Sequence, residues 1–210
     1  MKGFKNWTLL LYFSLSFIGM ELVLREFTVG GSIFSLDQAI ISLFAIAMAV
    51  ICFLVCSLFT PRVNRILAAI CLGLAAGVFA SQLVYHRIFT TFYSVYSAGN
   101  AGQVWQFWRE ALAGIVGSGL QVLLLFLPMA ILLAVGKRII SFAKIRWTLR
   151  GILAVIIILS HTGGIAVVQA GEHQQSSAYS YYYEKSFPVH SVQKLGLITT
   201  MRLDCQRLIT

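Results

Sequence analysis

Long apolar runs, broken by short polar and basic clusters, dominate this chain. An uncharged run of about 18 or more residues is long enough to cross the hydrocarbon layer of a bilayer as a helix. Five stretches follow that pattern: Asn6 to Leu24, Gln38 to Phe59, Ile66 to Val84, Ala111 to Gly136 and Gly151 to Gly171. The first is the weakest, because Glu21 lies within it, whereas the fourth and fifth carry no charge. A further uncharged stretch, Ile88 to Trp108, is rich in Tyr, Trp, Ser and Gly, and hydroxylated and indole aromatics favour the membrane–water boundary. It predicts an interfacial segment outside the bilayer core, with a sixth crossing as the alternative. The pattern predicts an all-α integral membrane protein with five transmembrane helices. Residues 1–171 form the membrane domain and residues 172–210 an extracytoplasmic linker.

Composition supports this and closes other routes. Hydrophobic residues make up 59% of the 210 and charged residues 11%, against about 45–50% and about 25% in soluble domains. The net charge of +9 would point to nucleic acid only if the basic residues lined one wettable face. They fall instead between the apolar runs, so no nucleic-acid partner is expected. With the N-terminus inside, Lys2, Lys5, Arg62, Arg65, Lys137, Arg138, Lys144, Arg146 and Arg150 are cytoplasmic, while the outer loops hold Arg25, Arg87 and Arg109. That asymmetry predicts N-terminus in and C-terminus out. Lys2 and Lys5 ahead of an apolar run also fit a secretory signal, but the small-x-small triplet Ser14-Leu15-Ser16 sits mid-run, so an uncleaved anchor is expected.

Candidate chemistry is sparse. Cys52, Cys56 and Cys71 fall in the second and third spans and Cys205 stands alone on the tail; they read as packing residues, with no disulfide framework. Glu21 and Arg25 are spaced i,i+4 near the outer end of the first span and are expected to pair there, with lipid-headgroup contact as the sharper reading. Arg87 and Arg109 are further headgroup candidates. His161 lies about ten residues into the fifth span. An ionisable group at that depth is either functional or a neutral imidazole bonded to a neighbouring helix, for instance through Gln121. Small residues recur every four positions at Ala69, Gly73, Gly77 and Ser81, and in the pairs Ala113/Gly117 and Gly114/Ser118, which predicts close helix packing. Pro128 should kink the fourth span.

After Gly171 the chain turns polar and Tyr-rich. From Ser191 an amphipathic helix is expected, with Val192, Leu195, Ile198, Met201, Cys205 and Leu208 on one face. That face needs a partner: the bilayer surface, the outer loops or another domain. The helix reaches Thr210 without a Gly or Pro stop, as a connector to something beyond it would.

The stretch VYHRIFTTFYSVYSAGNAGQVWQFW, the five-span layout and the exit segment YYYEKSFPVHSVQKLGLITTMRLDCQRLI resemble the N-terminal membrane region of the lipoteichoic acid synthase family, phosphoglycerol transferases of the alkaline phosphatase/sulfatase-like superfamily. The resemblance implies a multi-pass protein of a bacterial plasma membrane working on the cell envelope. It further implies membrane lipids, phosphatidylglycerol among them, as partners. In that family a large extracytoplasmic domain carries a threonine nucleophile and a divalent metal, usually manganese. The 39 residues after Gly171 are too few for such a domain, so no cofactor and no catalytic residue is assigned to this chain. Thr199, Thr200 and Thr210 are not the nucleophile, and His86, His173 and His190 have no metal-ligand spacing. The expected function is a membrane-anchoring module lacking the catalytic domain. The alternative is a stand-alone small membrane protein, acting as a transport subunit or interaction partner, with His161 at its centre.

Cys205 tests the orientation. It is expected to react with a membrane-impermeant maleimide in intact cells, whereas reaction only after permeabilisation would reverse the assigned topology.

Overall fold

The computed structural model describes residues 7–94, 108–184 and 187–209, and every regular element among them is a helix. In chain order these are α1 (Thr8–Phe27), α2 (Leu36–Val55), α3 (Pro61–Phe89), α4 (Trp108–Gly117), α5 (Gly119–Ile139), α6 (Trp147–Ala170), α7 (Ala178–Tyr183), α8 (Pro188–Leu195) and α9 (Leu197–Ile209). Five of them, α1, α2, α3, α5 and α6, are long and apolar enough to cross a membrane.

Local sequence sets the boundaries. Ser35 caps α2, its hydroxyl accepting the Gln38 amide at 3.2 Å, and Asp37 in the first turn suits the positive end of the helix. Pro61 opens α3, where its missing N–H costs nothing. That helix is longer than the apolar run that marks it and ends at Thr90, in the left-handed conformation with φ 54°. The chain then folds back on α3: the Gln82 amide donates to the Tyr93 carbonyl and its oxygen accepts the Tyr93 N–H, at 2.8 and 2.9 Å. Beyond these first residues, the interfacial segment expected to end at Trp108 lies outside the described residues up to position 107.

α2 is the hub. It packs most extensively against α6 and α1, while α3 packs against α5 and α4. Phe13, Phe17, Met20, Leu24, Ala49, Phe53, Leu72, Phe79, Leu125 and Leu132 fill the interior. α5 and α6 leave most of their surface uncovered, as lipid-facing helices do. In α6, Gly164 admits the Phe44 ring; a Cβ there would meet its carbons at 2.9–3.2 Å. On α3 the buried face is Ala68, Leu72, Ala76 and Phe79. The expected Ala69/Gly73/Gly77/Ser81 stripe lies beside it, and of its glycines Gly73 faces Met129 whereas Gly77 has nothing within 4 Å. Of the two pairs in the fourth span, Gly114/Ser118 is the buried one. The span breaks at Ser118, between α4 and α5, while α5 continues through Pro128, whose carbonyl accepts the Tyr12 hydroxyl.

One end of the bundle carries the α2–α3 and α5–α6 connections. There the buried Asn64 amide donates to Phe59 and Phe142 carbonyls at 3.1 and 2.9 Å and accepts the Phe59 N–H, tying the two loops together. The opposite end, the tail end, carries the α1–α2 turn and residues 171–184 and 187–209.

Candidate functional site

The tail end holds most of the buried polar groups that the fold positions. Glu21, in the last two turns of α1, is only 1% exposed. Its two carboxyl oxygens accept the backbone N–H groups of Leu197 and Ile198, each at 2.9 Å. The first amides of a helix have no partner within it, so Glu21 serves α9 as an N-terminal cap supplied from a helix 176 residues earlier. Gly196 makes the approach possible. With φ 81° and ψ 166° it occupies a region essentially restricted to glycine. A Cβ there would meet Ile41 at 2.9 Å and the Glu21 carboxyl at 3.0 Å.

Gly196 also corrects the single tail helix expected from Ser191. The chain breaks there into α8 and α9, and the buried face rotates. Val192 and Leu195 are buried as expected, but beyond the break the buried residues are Leu197, Thr199, Thr200, Leu203 and Asp204. Cys205 and Leu208, assigned to the apolar face, are exposed. The partner for that face is the chain's own bundle, since α8 and α9 both pack against α2. Polar contacts reinforce the seating: Lys194 pairs with Asp37 at 3.0 Å, and Arg207 donates to the carbonyls of Tyr181 and Tyr182 at 3.1 and 3.2 Å.

The expected ion pair between Glu21 and Arg25 does not form, because both Glu21 oxygens are turned to α9. Arg25, 4% exposed, donates through Nη1 to the Gln38 side-chain oxygen. Any side chain at Gly31 would overlap its guanidinium. Beside it opens a cleft of about 230 Å³.

His161 lies elsewhere. Its ring meets Phe44 edge-on, with centroids 5.4 Å apart. The ring contact formed is with Phe44 of α2, the helix against which α6 packs most, whereas α5, which carries Gln121, packs chiefly against α3 and α1. Phe44 also stacks on Tyr182, and the Arg202 guanidinium lies over both rings at 5.8 and 5.6 Å while donating to the Tyr182 hydroxyl at 2.9 Å. The fold thus brings an arginine from α9 to the histidine of α6. The remaining candidates stay apart from these groups: Arg87 is exposed and donates to Ser118 at 3.1 Å, and Arg109 is exposed over Trp108.

Three thiols meet between α2 and α3. Cys56 and Cys71 approach to 3.8 Å, with Cys52 one helical turn before Cys56 on α2. Among the described residues, no group of three or more His, Cys, Asp or Glu is placed to hold a metal.

Sequence reading picked out Glu21, Arg25 and His161 but missed Gln38, Gly196 and Arg202, which complete their surroundings. The positive φ of Gly196 and the tail position of Arg202 have no local signature. Comparison with protein-family models, curated proteins and solved structures finds no match to this chain.

The seating of α9 is testable. Glu21→Ala leaves two buried amides without acceptors and is expected to destabilise the tail by about 3 kcal/mol; Gly196→Ala adds strain of about 1–3 kcal/mol. Both variants are expected to lower the thermal midpoint in micelles and to speed trypsin cleavage after Arg202 and Arg207. Cleavage at the wild-type rate in both would remove Glu21 from this role.

Proposed function

We propose that this chain is the membrane-anchoring module of a lipoteichoic acid synthase-like phosphoglycerol transferase of the sulfatase superfamily. It sits in a bacterial plasma membrane with its N-terminus inside and residues 172–210 outside. The observation that carries the reading is the seating of α8 and α9: the polypeptide that leaves the last span is fixed to the bundle by Glu21, Asp37 and the Phe44/Tyr182 pair. A segment so fixed holds whatever follows it at a defined height over the headgroups. The gain is proximity, since a catalytic domain kept at the bilayer meets a lipid substrate at high effective concentration.

In this reading, manganese and the threonine nucleophile belong to the extracytoplasmic domain. No step of the transfer is assigned to the residues of this chain. Arg87 and Arg109, both exposed, are groups that this reading sets against phosphatidylglycerol headgroups.

A second reading rests on the contact of His161 with Phe44 beside Arg202: a small polytopic protein that binds a solute or another membrane protein there. The two readings separate genetically. Disruption of the gene in its source cells is expected to abolish glycerol phosphate polymer on the envelope, and the wild-type gene is expected to restore it. Unchanged polymer, measured as envelope glycerol phosphate, would contradict the anchoring role and favour the second reading.

A further inference from the structure

Arg25 presents an imbalance that the anchoring reading leaves unused. A guanidinium offers five N–H donors. Here it is 4% exposed, yet its hydrogen bond goes to the neutral Gln38 side chain. Its Nε is buried with no acceptor. The ion pair within 4 Å among the described residues is Lys194–Asp37, so no described carboxyl group reaches Arg25 at that distance. Burying a cation with no anion hydrogen-bonded to it is costly: Glu21 attracts the guanidinium only through space, because both its oxygens are turned to α9, and Gly31, at φ 138°, lies against the guanidinium where an added Cβ would meet Nη2.

The cleft beside this cation is shaped for an amphiphile. Arg25 and Gln38 supply its polar end, and its walls are Leu22, Val23, Phe27 and Ile33. Ile33 and Phe27 are exposed at the rim, and the site lies at the end of α1, where a spanning helix meets the headgroup layer. We propose that this cleft binds one glycerophospholipid, its phosphodiester accepting from Arg25 and an acyl chain lying along Leu22, Val23, Phe27 and Ile33. Glu26, exposed on the rim, decides between two sources of phosphate. A carboxylate there repels the dianion of free phosphate more than a singly charged diester, and it can accept from a headgroup hydroxyl or ammonium beyond the phosphate. The proposal rests only on placement in a membrane, not on the transferase reading. It can stand if envelope polymer proves independent of this protein, and it can fail if that reading holds.

Native mass spectrometry of the delipidated chain tests it, with dioleoylphosphatidylglycerol, dioleoylphosphatidylethanolamine or dioleoylglycerol added back. One phospholipid is expected to remain bound per chain, while dioleoylglycerol, which lacks the phosphate, is lost. Arg25→Gln should weaken retention about tenfold or more. Ile33→Trp, at an exposed position whose replacement spares the core, should do the same by filling the cleft. Millimolar inorganic phosphate should not displace the lipid. Equal retention of dioleoylglycerol, or wild-type retention in the Ile33→Trp variant, overturns the proposal. Displacement by phosphate overturns it in favour of a free-anion site.

Discussion

Two hydrogen bonds from the start of α9 to the buried carboxyl group of Glu21 set the geometry of the tail end. Each partner has a reason to need the other. A carboxyl group inside an apolar bundle must find donors, and the first amides of a helix must find acceptors outside it. Gly196 makes the meeting geometrically possible, because only a residue without a Cβ can take its φ while lying against Ile41 and Glu21.

Once α9 starts at that point, the rest of the tail is constrained. Its direction carries Arg202 over Phe44 and Tyr182, and Arg207 to the carbonyls of α7. Behind it α8 sits on α2, with Lys194 on Asp37. The same commitment leaves Arg25 without a hydrogen bond to the carboxyl group one helical turn away. A single capping interaction thus fixes the exit segment and leaves Arg25 hydrogen-bonded to a neutral partner beside the cleft, so both features of the tail end share one cause.

The five long helices were legible in the sequence because lipid imposes a long, uncharged run, and the fold places them close to the expected positions. Their neighbours were less so. The glycine stripe of α3 marked close packing but missed the buried face, which Ala68, Leu72 and Ala76 occupy. The tail helix was read through Gly196 because apolar spacing of three and four residues continues across it, and spacing does not register φ. Glu21 was noticed as an exception in an apolar run, but the nearest charge in sequence, Arg25, was a poor guide to its partner. Its donors are backbone amides of the tail, which no side-chain pattern announces. His161 shows the same limit: its setting depends on Phe44 of α2 and Arg202 of α9, brought together by chain packing rather than by any motif.

Hydrogen exchange at the backbone amides of Leu197 and Ile198, followed by NMR on leucine- and isoleucine-labelled protein in lipid nanodiscs, tests the central claim most directly. The first amides of a helix ordinarily exchange as freely as those of a loop, because nothing in the helix accepts them. With Glu21 as their acceptor, both are expected to exchange as slowly as amides in the middle of α9. Rapid exchange at these two positions, with the rest of α9 protected, would contradict the account.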